Sequence, residues 1–203
     1  MSTIPDLNAT PGNTPLHPDD ATQLIPNLAT KRELDEWERQ NILEAQTWAF
    51  NPRVMDQRDP LDELYVRELH RRMFDATWKW AGKYRARTGT NLGCPFAEIQ
   101  QRIGGLLGNI RFWVEHQTFP IDEIAARFHH QLVGRIHAFP NGNGRHARLI
   151  ANVLAVRLGR PRFTWGRETL VDRGPTRQAY LDALHAADNN EDNIQQLVLF
   201  SRS

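Results

Sequence analysis

Cysteine is almost absent: Cys94 is the one copy in 203 residues. A disulfide framework and a cysteine-based zinc site within one chain are therefore excluded, and a reducing interior fits. Long hydrophobic runs are missing too, and the N-terminus lacks the basic-then-apolar order of a secretory signal, so the expected location is the cytoplasm, away from membranes. Neither sign of charge dominates, with 25 Lys and Arg against 24 Asp and Glu for a net charge of +1. That balance makes nucleic acid an unlikely main partner, because such domains usually carry a marked basic excess. The local run Arg157, Arg160, Arg162 and Arg167 reads as a solvated face. Nor do the histidines form a metal pattern. His129, His130, His137 and His146 match no common zinc spacing, and no Glu sits among them as a base.

Proline is gathered at the start of the chain, where Pro5, Pro11, Pro15, Pro18 and Pro26 stand among Asn, Thr and Asp without sustained periodicity. Residues 1–26 are expected to form a flexible arm. Helical patterning follows over roughly residues 30–50, 60–80, 96–116, 121–136, 144–158, 176–187 and 191–201. The fold class expected is all-α, a helical bundle, with residues 27–58 as an N-terminal helix packed on a core domain of residues 59–203. In that N-terminal helix Thr30 and Glu33 make a capping box, and Leu34, Trp37, Asn41, Ala45 and Trp48 line one face. Between Tyr84 and Pro95 the order of Thr, Gly and Asn reads as a short β-hairpin or loop.

One run holds a candidate base, glycines and two arginines together: His137-Ala138-Phe139-Pro140-Asn141-Gly142-Asn143-Gly144-Arg145-His146-Ala147-Arg148. It falls between two apolar helices, so it is a helix-loop-helix junction. Gly142 and Gly144 permit a tight turn and close approach of a ligand, and the following helix would aim amide N–H groups and its positive dipole end at an anion. Arg145 and Arg148, three apart, share a helical face and can hold successive phosphates. His137 has an ordinary pKa near neutrality and is the candidate for taking a proton from a hydroxyl. Phe139 would face the core. The same run also fits an Asn-Gly turn between core helices with its arginines in solvent.

The pattern His-x-Phe-x-(Asp/Glu)-Gly-Asn-Gly-Arg-x-x-Arg resembles the motif of Fic domains, which mostly transfer AMP from ATP to a hydroxyl of a target protein. Leu64–His70, Met73-Phe74 and Trp78–Arg85 look like that family's first core helix and its turn into a flap, and Tyr180–Asp188 is similar to its closing helix. The wording of the motif is closest to the subgroup called mobile mystery protein B, carried on bacterial mobile elements beside a helix-turn-helix partner protein. The resemblance implies a Fic-type helical bundle with one small β-hairpin flap, and a nucleotidyltransferase using ATP and Mg²⁺. In it His137 deprotonates a Ser, Thr or Tyr hydroxyl. Asn143 and the amides from Gly142 to Gly144 form an anion hole, and Arg145 and Arg148 hold the β- and γ-phosphates. The protein target lies along the flap near Thr88–Pro95. His146 and Ala147 fill variable places and receive no role.

The chain departs from the motif at one place: Asn141 stands where an acidic magnesium ligand is usual. A neutral amide oxygen is a weaker ligand, and Mg²⁺ is commonly held by one or two carboxylates plus substrate phosphates. Attenuated transfer is the expectation. The alternative is a catalytically silent nucleotide-binding interaction module of a mobile-element gene pair. Many Fic domains are also held off by a helix whose Glu pairs with the second motif arginine, here Arg148, and no good copy of that motif occurs. Either the helix after Thr30 only packs on the core, or a displaced acid such as Glu38 or Glu44 reaches the arginines.

Overall fold

The structure is a computed structural model that describes residues 16–87, 92–166, 170, 174–190 and 193–203. Its helices are α1 (Pro18–Ala21), α2 (Lys31–Ala49), α3 (Pro52–Gln57), α4 (Glu63–Phe74), α5 (Ile99–Glu115), α6 (Ile121–His130), α7 (Asn143–Arg157), α8 (Pro175–Asn189) and α9 (Ile194–Arg202). A π-helical turn, Gln131–Ile136, prolongs α6. Among the described residues the only β pairing is an isolated antiparallel bridge between Leu24 and Trp78. The bundle is all-α. None of the helices described is long and apolar enough to cross a membrane.

α6 is the axis of the bundle because its sequence leaves little polar surface on any side. Ile124, Ala125, Ala126, Phe128 and His129 are all buried, and the helix packs against α5, α7 and α9. Each large apolar side chain fully buried here stabilises the fold by about 1.5–3 kcal/mol. α7 supplies Ala147, Ala151 and Ala155 along with Ile150 and Leu154, so small residues admit a close approach while the larger ones fill the gaps. α4 lies between α2 and α7.

The capping box at α2 is formed in full: Thr30 Oγ1 accepts from Glu33 N at 3.2 Å, and Glu33 Oε2 accepts from Thr30 N at 2.9 Å. The buried face of α2, however, is Leu34, Glu38, Asn41, Ala45 and Ala49. Trp37, expected on that face, remains 45% exposed. Glu38 takes the inward place, and the reason lies in what it pairs with, described below.

Two boundaries differ from the periodicity. The helix expected over residues 60–80 ends at Phe74, where Thr77 N and Trp78 N both turn back to the Phe74 carbonyl. Trp78 and Trp80 then stack at 5.1 Å between centroids. Their spacing of two residues suits an extended segment rather than a helix. The short α3 was not foreseen, although Asn51 as cap and Pro52 at the first position are a helix start.

Of the proposed arm, residues 16–26 are described and are docked on the bundle. Leu16 and Ala21 are buried, Ile25 N donates to Thr77 O at 2.8 Å, and Lys79 N donates to Gln23 O at 3.1 Å. The expected hairpin between Tyr84 and Pro95 includes residues 88–91, which lie outside the described residues. Its described ends are held against the loop after α6, through Arg85 N to Ala138 O at 2.9 Å and Cys94 N to Ile136 O at 3.3 Å.

Candidate functional site

The π-helical turn closes with His137 N donating to Leu132 O at 2.9 Å, and His137 itself takes a left-handed backbone conformation, φ 50° and ψ 60°. Such a wide turn is uncommon and often marks a functional place in a helix. The imidazole is buried, and Nδ1 lies 2.9 Å from Val133 O. A carbonyl can only accept, so Nδ1 carries the proton and the lone pair of the neutral ring falls on Nε2. Burial holds the His137 pKa below its ordinary value, and the positive charge of Arg85 pushes the same way, while the bond to Val133 opposes them. At neutral pH His137 is therefore a neutral acceptor.

The loop from His137 to α7 is braced from within. Asn143 Oδ1 accepts from Phe139 N at 2.9 Å, and Asn143 Nδ2 donates to Phe139 O at 2.8 Å. Both ends of that amide are thus spent on the loop, and its contribution to an anion hole is left to its main-chain N–H. Phe139 faces the core as expected, stacked on His70 with centroids 3.7 Å apart. Gly142 makes the turn at φ +76°, and a Cβ there would meet Phe74 Cζ at 2.4 Å. Gly144 is different: it lies inside α7, and an added Cβ would meet only ordinary contacts, at 3.6 Å to Arg148 Nη1 and beyond. No side chain caps α7 at Gly142, so the first-turn amides point at the loop with the helix dipole behind them.

Two buried histidines beneath this loop were not foreseen as parts of the site. His70 Nδ1 accepts from Gly82 N at 3.0 Å, which leaves the Nε2 proton to be donated to Asn141 O at 3.1 Å. His146, given no role by the resemblance, donates from Nε2 to Val66 O at 2.9 Å and ties α7 to α4. Burial pushes the His146 pKa down to about 4 and that of His70 well below the usual histidine range. Both are neutral structural groups.

The arginines occupy unlike settings. Arg145 Nη1 pairs with Glu38 Oε2, Arg145 Nη2 donates to Asn141 Oδ1 at 3.4 Å, and the guanidinium lies 4.9 Å from the Phe74 ring centroid. The other Glu38 oxygen accepts from Trp78 Nε1 at 2.7 Å. Arg148 lies over the Tyr180 ring, 5.4 Å from its centroid, and the Tyr180 hydroxyl is 2.9 Å from His129 Nε2. Among the described residues no carboxylate pairs with Arg148. Of the two acids considered for reaching the arginines, Glu38 does so, on Arg145 rather than on Arg148. Glu44 instead accepts from Gln40 Nε2 at 3.1 Å on the surface.

The donor set does not fit a protein-held magnesium. Asn141 Oδ1, the proposed ligand, already accepts from Gly142 N at 2.6 Å and faces the Arg145 guanidinium. Among the described residues no group of three His, Cys, Asp or Glu could hold a metal ion.

Similarity to known proteins follows this geometry. The model of the Fic/DOC family matches residues 60–155. Over 172 residues the chain is 27% identical to the protein adenylyltransferase Fic of Culex quinquefasciatus, an alignment covering 83% of this chain and 32% of that protein. The chain thus spans about a third of the length of this curated relative. Among solved structures, a Fic domain containing signaling protein from Bacteroides thetaiotaomicron aligns with a TM-score of 0.62 at 23% identity, over 81% of this chain and 65% of that one. The N-terminal Fic domain of a VirB-translocated Bep effector protein from Bartonella quintana, solved with bound ADP, aligns with a TM-score of 0.60 at 19% identity, over 87% and 86% of the two chains. Residues 60–155 thus match the Fic/DOC family model, and the fold around them is that of solved Fic domains.

Proposed function

We propose that the protein is an adenylyltransferase that moves AMP from ATP to a Ser, Thr or Tyr hydroxyl of a target protein. The observation that carries this reading is the neutral His137 ring, with its proton committed to Val133 and its lone pair on Nε2, beside the uncapped first turn of α7. In the reaction, His137 Nε2 takes the hydroxyl proton as the oxygen attacks the α-phosphorus. The new P–O bond forms as the bond to pyrophosphate breaks. Amides at the start of α7 stabilise charge on the phosphate oxygens, and Arg145 and Arg148 hold the β- and γ-phosphates. Positioning and charge neutralisation supply most of the rate in such chemistry. The target is held along the flap that includes Thr88–Pro95. The curated relative named as a protein adenylyltransferase and the ADP-bound neighbour support the nucleotide as ligand.

Two features attenuate the activity. Glu38 competes with phosphate for Arg145, and Asn141 offers no charge to a metal. The same two features favour a second reading, a silent nucleotide-binding module with a helix-turn-helix partner. Incubating the full chain, its His137→Ala form and its Glu38→Gln form with ATP, Mg²⁺ and bacterial lysate separates the readings. Mass spectrometry should find AMP on Tyr, Ser or Thr with the wild type, more with Glu38→Gln, and a loss on the order of 10²–10⁴-fold with His137→Ala. Equal transfer by His137→Ala would remove the proposed base. Nucleotide binding without adducts from any form would favour the silent module.

A further inference from the structure

Arg85 is buried yet meets no carboxylate in its fork of bonds. Its Nε donates to His137 O at 2.7 Å, Nη1 to Arg87 O at 3.0 Å, and Nη2 to both Ile136 O, at 3.3 Å, and Cys94 O. Its own main-chain N–H donates to Ala138 O at 2.9 Å. Three successive carbonyls, those of Ile136, His137 and Ala138, are therefore held by this single residue, with Cys94 N adding a second donor to Ile136 O at 3.3 Å. These carbonyls sit at the end of a helix, where orphaned acceptors are usually met by a glycine-based turn or by water. A buried cation is a costly way to satisfy them unless its charge or rigid geometry is needed.

The place it holds is a strained one. His137 has φ +50°, a conformation that costs a residue with a side chain roughly 1–2 kcal/mol. The facing backbone is fitted to the same spot: Gly93, at φ +90°, would place a Cβ 2.6 Å from His137 Cβ and 2.6 Å from Ile136 O. Arg85 thus grips the carbonyls around His137, and the Gly93 backbone lies close against its Cβ.

We propose that Arg85 is a positioning residue for His137: its guanidinium locks the left-handed turn at Ile136–Ala138 and so fixes the direction in which the imidazole presents Nε2. The inference rests on reading His137 as the base, and it extends that reading to a residue outside the motif. Val133 O from the π-helical turn meets the ring at Nδ1, and Arg85, bonded to the His137 carbonyl, is the charged group that acts on the ring. Its positive charge also favours the neutral ring.

The test compares wild type with Arg85→Lys, which keeps the charge but not the fork, and Arg85→Met, which keeps neither. Imidazole nitrogen and proton spectra, with His137→Ala to assign the signal, report the His137 tautomer and its titration without requiring transfer. Initial rates of AMP transfer to lysate protein against ATP concentration give the second readout. In Arg85→Lys the Nδ1–H signal of His137 should broaden and kcat should fall on the order of 10- to 100-fold, with KM for ATP little changed. In Arg85→Met the titration midpoint of His137 should also rise, because a nearby positive charge has been removed. Should the methionine variant fail to fold, the lysine variant alone decides. A folded Arg85→Lys protein with wild-type His137 spectra and kcat would reduce Arg85 to a structural cap and overturn the proposal. If no form transfers AMP, the spectra still decide whether Arg85 sets His137, so loss of the transferase reading and loss of this inference remain distinguishable.

Discussion

Arg145 and Arg148 stand three residues apart on α7, yet among the described residues one end of the site is closed by a carboxylate and the other is not. At the Arg145 end a carboxylate from α2, itself steadied by Trp78, already occupies the guanidinium. At the Arg148 end the described neighbours include the Tyr180 ring and hydroxyl and, behind them, His129, none of which carries negative charge at neutral pH. The difference teaches that the two motif arginines are not equivalent ligands in waiting. On the proposed reading Arg148 keeps its charge for an incoming anion, whereas Arg145 must exchange an internal acid for a phosphate.

The largest expected effect removes both ends together. His70 and His146 support the loop, and His129 lies behind Arg148; burial lowers the folded pKa of all three. Between the unfolded value near 6.5 and those lowered values the unfolded chain binds more protons, so stability is present above that range and is lost as pH falls through it. His146, pushed down to about 4, alone accounts for roughly 3 kcal/mol by that pH. Urea unfolding at pH 7 and pH 5 should show this loss, and equal stability at the two values would contradict the neutral buried histidines.

Arg145→Ala should come next, since it strands the buried Glu38 carboxylate. Arg145 keeps 27% side-chain exposure and water can partly enter, so the loss is set at roughly 2–3 kcal/mol, just under the range for breaking a buried pair. Arg148→Ala abandons no carboxylate among the described residues and should stay within about 1 kcal/mol of wild type. Thermal melts of the two variants sharpen the comparison, and equal losses would break it.

In binding the order reverses. Arg148→Ala should weaken ATP on the order of 10-fold or more, the scale of one hydrogen-bonded charge pair, and weaken AMP far less. An unchanged ratio of ATP to AMP affinity would end its assignment to the terminal phosphate. The smallest effect is expected at Asn141→Asp. A carboxylate there gives magnesium a charged oxygen and should lower the concentration needed for half-maximal transfer. An unaltered requirement would leave the metal to the triphosphate alone.

Much of this site was legible in the chain because its parts are local. The spacing from His137 to Arg148 placed a candidate base, a turn and a helix start together, and the capping box of α2 was written in Thr30 and Glu33. What escaped was carried by long-range polar contacts. Glu38 reaches Arg145 across 107 residues, Arg85 reaches His137 across 52, and His146 reaches Val66 across 80. A charged residue at a buried position contradicts the apolar pattern that identifies a helix face, which is why Trp37 was assigned inward in place of Glu38. The helix beyond Phe74 was over-extended for a related reason. Aromatic richness suggests burial, but only the two-residue spacing of Trp78 and Trp80 tells an extended segment from a helix.

The most direct test of the closed end is calorimetric titration of ATP and of AMP into the wild type and Glu38→Gln. Glutamine can keep the bond to Trp78 while giving up the charge on Arg145. If Glu38 stands in for a phosphate beyond the first, ATP should bind roughly 5-fold tighter, about 1 kcal/mol, with AMP unchanged. Equal affinities for ATP in the two proteins, or an equal gain for AMP, would contradict the account.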